Sequence, residues 1–151
     1  MTSGGSGPQE PLGHRLRQVS NHMSQSLARR LEATGVTGAE WAMMRLLPGR
    51  EPVPSGELAA RMGMTRGAVT RLADRLIAKG LMRREGRQED ARTRMLSLTP
   101  RGTALLPDLA ALADENEAHC FALLRPEERA VLAAVLDRLI EGHGLTGVGV
   151  D

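Results

Sequence analysis

Between Thr65 and Arg94 the chain carries hydroxyls and guanidinium groups at spacings that suit contact with a polyanion. Val69, Leu72 and Leu76 mark the inward face of a helix opened by Thr65, leaving Arg66, Thr70, Arg71, Asp74 and Arg75 largely outward. Side chains in the first turns of a helix laid in a DNA major groove face base edges, so Thr65, Arg66, Thr70 and Arg71 are base-edge candidates. An arginine there can form a bidentate pair with guanine, worth ~1–3 kcal/mol of discrimination. Arg75, one turn further on, suits a phosphate. Arg87 and Arg94 flank a polar stretch just beyond and add positive charge, while Arg83 and Arg84 either approach phosphate or sit on an exposed strand.

The elements that must position these groups follow from periodicity and punctuation. Leu12, Leu16, Val19, Met23, Leu27 and Leu31 form one stripe of a long helix that Gly35 ends. Thr37-Gly-Ala-Glu40 is a capping box opening a second helix with Trp41, Met44 and Leu47 on one face. Pro48 to Pro54 reads as a loop. Ser55 is expected to cap a third helix with Leu58, Ala59 and Met62 inward, and Gly63 supplies the tight turn into the Thr65 helix, which runs to Lys79. Gly80 suits a left-handed C′ position. Leu81–Arg84 and Met95–Leu98 alternate like strands and are joined by the basic stretch Glu85–Arg94, a hairpin with a long loop. Thr99-Pro100 starts a fifth helix reaching about Leu124, with Leu105, Leu109, Leu112 and Leu123 on its stripe and a kink expected at Pro107. Pro126 opens the last helix, striped by Val131, Leu132, Val135, Leu136 and Leu139.

Short helix, glycine turn, outward-basic helix and basic hairpin are the order of a winged helix-turn-helix. The expected fold is mainly α with a small β-hairpin wing, flanked by terminal helices. Its parts are a flexible arm (1–11), terminal dimerisation helices (12–34 and 100–143), the winged DNA-binding domain (37–99) and a flexible tail (144–151).

Composition agrees. With aromatics reduced to Trp41 and Phe121 in 151 residues, the core must be built from Leu, Ala, Val and Met, which suits helices. Charge is segregated: Ser55–Arg94 holds ten basic residues against five acids (+5), Met95–Asp151 four against nine (−5), and Met1–Pro54 six against four (+2). A positive middle and a negative tail leave one face for phosphate. A single cysteine, Cys120, excludes an intramolecular disulfide framework and a cysteine-rich zinc site. No apolar run approaches the ~20 residues of a membrane span, and Thr2–Pro11 lacks the apolar segment of a signal peptide. The expected location is the cytoplasm, with no membrane partner.

The segment Asp90-Ala-Arg92-Thr-Arg-Met-Leu-Ser-Leu98-Thr99-Pro-Arg-Gly102 resembles the D-x-R…L-T-x-x-G signature of the MarR family of bacterial regulators. Glu57-Leu-Ala, Val69-Thr-Arg-Leu-Ala-Asp-Arg-Leu76 and Lys79-Gly-Leu81 are similar to that family too, and the helix order matches from about Leu12 to His143. The resemblance implies a homodimer built by the first and last two helices that represses transcription from double-stranded DNA until a small molecule binds. It implies that Arg92 enters the minor groove and that Asp90, which phosphate would repel, fixes an arginine fork. It also implies an effector pocket near Met23, Trp41, Met44 and Arg45. Arg45 could pair the carboxylate of an aromatic acid or lie at the surface, and Trp41 reads equally as core. The apolar stripes agree with a dimer, since the terminal helices have no sheet to cover.

Other readings find less support. Cys120 as an oxidant sensor would need an accessible, low-pKa thiol, and Asp114, Glu115 and Glu117 stand nearby in sequence. His14, His22, His119 and His143 are too scattered for a metal motif, and neither a nucleophile–base pair nor a phosphate loop is present, so no metal, cofactor or catalytic residue is expected. A winged module that binds proteins and has lost its operator is the alternative of a different class. Arg66, Arg71, Asp90 and Arg92 argue against it.

Overall fold

The computed structural model describes residues 10–49, 51–86 and 94–145. Helix α1 (Leu12–Leu31) runs through a 3-10 turn (Glu32–Thr34) to Gly35, whose φ of 73° lets the chain reverse into α2 (Gly38–Met44). A short strand β1 (Val53–Pro54) leads into α3 (Ser55–Met62), then α4 (Arg66–Ala78). Strands β2 (Met82–Glu85) and β3 (Met95–Leu98) precede α5 (Pro100–Cys120), a 3-10 turn (Phe121–Leu123) and α6 (Pro126–Gly142).

Several caps arise as the sequence requires. The Thr37 hydroxyl accepts from the Glu40 backbone N–H at 3.1 Å while the Glu40 carboxylate accepts from the Thr37 N–H at 2.8 Å. Thr65 accepts from the Ala68 N–H and Thr99 from the Gly102 N–H, with Pro100 at the first helical position. Four local expectations are corrected. Val53–Pro54 is a strand rather than loop: Val53 is buried opposite Leu96, and on the edge of a sheet ordered β1-β3-β2 a proline's missing N–H costs little. Ser55 is the first residue of the helix and not its cap: the cap position falls to Pro54, with no side-chain cap bond, and the Ser55 N–H donates to the Arg94 carbonyl at 3.1 Å. α2 stops at Met44, so Leu47 is buried from a following turn and not from the helix face. α5 passes through Pro107 as one helix but ends at Cys120, and Leu123 is 92% exposed beyond it.

One core joins α1 to α5 and the sheet, and α6 stands outside it. Leu31, Met43 and Met44 meet Leu58 of α3, Val69, Leu72 and Leu76 of α4, Met82, Leu96 and Leu98 of the sheet, and Leu109 of α5. α1 packs along α5, where buried Asn116 donates to the Met23 carbonyl at 3.1 Å and accepts from Arg30 Nε at 3.3 Å. Such a bridge fixes the register of two helices that apolar contact alone would leave free to slide. The outer half of α1 (Leu12, Leu16, Val19) and the stripe of α6 (Val131, Val135, Leu139) remain exposed, and no residue of α6 is buried.

The end of α4 is the crossing point. Thr99 N–H donates to the Leu81 carbonyl (3.1 Å), Thr99 Oγ1 donates to the Gly80 carbonyl (2.7 Å), and Arg101 Nη1 donates to the Lys79 carbonyl (3.3 Å). Gly102 lies so close that a Cβ there would stand 2.1 Å from the Leu81 oxygen. On the other side Lys79 Nζ donates to Glu40 Oε1 at 2.7 Å and to the Gly35 carbonyl at 2.6 Å. Glu40 is fully buried. Burial alone would raise its carboxyl, yet the Lys79 hydrogen bond, the Thr37 N–H and the Lys79 charge together hold it below the ordinary value of 4.5.

Gly102→Ala should force the first turn of α5 off Leu81 and break the Thr99 bond with it, a cost of about 1–3 kcal/mol for overpacking. The melting temperature should fall by several degrees, and a variant that melts with the parent would show that this approach relaxes freely. The Glu40 pair also predicts a pH dependence. A carboxyl whose folded pKa is depressed contributes stability in full above about 4.5 and loses it as pH falls through the lower folded value. Denaturant titrations between neutral and acid pH should therefore show a steeper acid loss for the parent than for Glu40→Gln, and coincident acid limbs would contradict the assignment.

Candidate nucleic-acid interface

α3 and α4 form the helix-turn-helix. Gly63, at φ 61°, takes the left-handed turn that ends α3, and Thr65 caps α4 two residues later. One face of α4 (Val69, Leu72, Ala73, Leu76) is buried, which turns the opposite face to solvent. The helix thus presents Arg66, Arg71 and Arg75 as exposed groups, and among the described residues none of the three forms an ion pair. Arg66 reaches back toward Gly56 at the start of α3, where a Cβ would lie 3.7 Å from its Nη2.

The two threonines are more constrained than their type suggests. Thr65 Oγ1 already accepts from the Ala68 N–H, so toward a ligand it has its O–H left to donate. Thr70 Oγ1 donates to the Arg66 carbonyl at 2.9 Å and offers acceptor lone pairs outward. A phosphate has only acceptors, so in this geometry Thr70 suits a base amino group better than the backbone.

Asp74 does not soften the basic face at random. It accepts from Arg84 at 2.8 Å, tying α4 to β2, and Arg83 pairs with Glu85 at 3.4 Å. The two strand arginines are thereby partly neutralised, while those of α4 are not. Arg94 stands half-buried just before β3, with its carbonyl held by Ser55. Arg87, Asp90 and Arg92 lie outside the described residues.

The expected pocket residues are dispersed between core and margin. Trp41 and Met44 are buried core members; Met23 on α1 and Arg45 just after α2 are half-buried. Cys120 is half-buried at the end of α5. Among the described residues no group of three or more His, Cys, Asp or Glu could hold a metal ion, and no helix is long and apolar enough to cross a membrane.

Sequence reasoning placed Glu40 as a helix cap and Lys79 as a helix end, and missed that they meet. A signal existed in the composition: Lys79 is the single lysine of a chain that otherwise uses arginine.

The chain has recognisable relatives. Residues 34–93, from the end of the first helical segment through the wing, match the family model described as MarR family. A putative transcriptional regulatory protein for the hcr operon of Thauera aromatica is 27% identical over 140 residues, covering 92% of this chain and 84% of the relative. The HTH-type transcriptional repressor MdtR of Bacillus subtilis (strain 168) is 28% identical over 126 residues, covering 83% and 81%. The crystal structure of a MarR variant from E. coli complexed with operator DNA superposes with a TM-score of 0.78 at 24% identity over 86% of this chain and 94% of that one, a likeness of fold. Residues 34–93 thus match the MarR family, and over most of its length the chain is similar to transcriptional regulators with a winged helix-turn-helix.

Proposed function

We propose that the protein is a ligand-responsive repressor that acts in the cytoplasm as a homodimer on a pseudo-palindromic operator. The observation that carries this is α4 itself: a helix with one face in the core and, on the other, three exposed arginines that form no ion pair among the described residues, in a fold whose E. coli counterpart has been crystallised on operator DNA. Arg66 and Arg71, with Thr65 and Thr70, meet base edges, and Arg75 meets phosphate. In the wing Arg87, Arg92 and Arg94 supply positive charge, Arg92 lies in the minor groove, and Asp90 holds an arginine in place.

The dimer is supported by α6. A 17-residue helix with no fully buried residue gains little from the rest of its own chain, and an isolated helix of that length is marginal in water. A second copy, offering the same exposed stripes on α1 and α6, covers both. The repressor reading is supported by the MdtR relative. For the effector, the proposed contacts are Met23 on α1, Trp41 and Met44 on α2 and Arg45 just after it, with Arg45 to pair the carboxylate of an aromatic acid.

A gel shift with the DNA upstream of its own gene tests the reading directly: a retarded complex at nanomolar to micromolar protein supports it, and none at any salt refutes it. In sedimentation the protein should run as a dimer, and a folded monomer at micromolar concentration would remove the basis for a palindromic site. Arg71→Ala should cost about 1–3 kcal/mol and relax preference at one base pair per half-site. Arg75→Ala should instead weaken all sequences alike and reduce the salt slope by about 1. Affinities for single-base operator variants at two salt concentrations separate the two, and the opposite pattern would exchange their roles.

A further inference from the structure

The recognition helix α4 is gripped at its C-terminal end from two directions. Lys79 reaches to Gly35 and Glu40, in the turn between α1 and α2 and in α2 itself. The carbonyls of Lys79 and Gly80 accept from Arg101 and Thr99 at the start of α5. The two grips differ in kind. The α5 contacts use backbone carbonyls that follow the chain, whereas the Lys79–Glu40 contact joins residues 39 apart through side chains alone. Glu40 is fully buried, its Oε1 is shared between Lys79 and the Thr37 N–H, and its Oε2 has no hydrogen-bond partner. Lys79 is 38% exposed, so only the carboxylate of the pair is fully desolvated, and its one hydrogen-bonded oxygen holds the ammonium between Glu40 and the Gly35 carbonyl.

We propose that Glu40 and Lys79 are positioning residues that fix the tilt of α4 against the α1–α5 layer and so set the half-site spacing that the dimer accepts. Neither touches DNA. The proposal rests on the operator-binding reading above. Its scale is set by leverage: α4 has 13 residues, so it is about 20 Å long, and a tilt of about 10° at its held end moves its other end by about 3 Å. That is on the order of one base-pair step along DNA, 3.4 Å per strand. A loose strut would therefore blur spacing by a full step, while leaving the basic face and its phosphate contacts intact.

The test uses the full-length protein and its upstream operator, with versions carrying one or two base pairs inserted into or removed from the centre. Glu40→Gln keeps an acceptor for the Thr37 N–H, so the capping box survives while the ion pair is lost. The double variant E40Q/K79M leaves no buried ion unpaired and carries the same comparison should E40Q alone lose stability. Both variants should sediment as the parent does. At the preferred spacing they should bind about tenfold more weakly, while affinity for the altered spacings changes by no more than about twofold, so the spacing profile flattens. A variant profile of the parent's shape, whether at the parent's affinity or uniformly weakened, overturns the proposal, since uniform weakening is what general destabilisation gives. A parent that shifts no DNA fails the underlying reading and the proposal with it, and is seen without any variant.

Discussion

The turn that follows α4 ties neighbouring elements together: the carbonyls of Arg75, Leu76 and Ile77 are met locally by the N–H groups of Lys79, Leu81 and Gly80, but the next carbonyls find their partners at the start of α5. A helix end leaves four carbonyls without intrahelical partners. Here the carbonyls of Lys79, Gly80 and Leu81 are met by Arg101 and Thr99, so the start of α5 is built on the end of α4. The approach is close enough that only glycine fits at position 102. This gives physical content to the Leu98-Thr99-Pro100-Arg101-Gly102 segment: one residue caps, one starts the helix, one reaches back, and one makes room.

The same turn explains the lone lysine. An arginine fork is planar and suits a carboxylate taken two oxygens at a time. At this site the acceptors are a carbonyl at 2.6 Å and one carboxylate oxygen at 2.7 Å, belonging to different residues. A compact ammonium with three rotatable donors satisfies both, and its four-carbon stem bridges from a helix end to a turn in another part of the chain. Its charge also lies at the negative end of the α4 dipole. Arginine elsewhere serves different geometry, as in the Arg84–Asp74 pair that joins α4 to β2 or the free guanidinium groups along the outer face of α4.

What could be read from the sequence was local. Thr37 with Glu40, Thr65, and Thr99 with Pro100 each declare a helix start within four residues, and the structure forms all three. The outward arginines of α4 were likewise legible, because Val69, Leu72 and Leu76 leave them no other side. The errors came where a distant partner decided. Pro54 reads as a loop residue until Leu96 and Met95 of β3 pair with the Val53–Pro54 segment, and that pairing takes the Ser55 N–H and displaces the cap. The Glu40–Lys79 contact has no periodicity to announce it, since both residues already had sufficient local explanations. The same limit applies to Asn116, a polar residue on an apolar helix whose partners, Arg30 and Met23, lie on α1.

Charge and apolar surface divide the molecule in the same way. The segment from Ser55 to Arg94 holds the positive excess and eight of the eighteen buried core residues among those described, so its outward face is left to arginine. The segment after it is acidic and ends in α6, none of whose residues is fully buried within the chain. A large apolar stripe left in water favours association, but phosphate would be repelled by the acids that flank it. Leu12, Leu16 and Val19 on α1 face the same choice. A second copy seated as proposed would cover both stripes without drawing the basic face into the interface, so that assembly would use one side of the protein and DNA contact another. The Asn116 bridge between α1 and α5 and the Lys79 strut between α2 and α4 lie on the route from one side to the other.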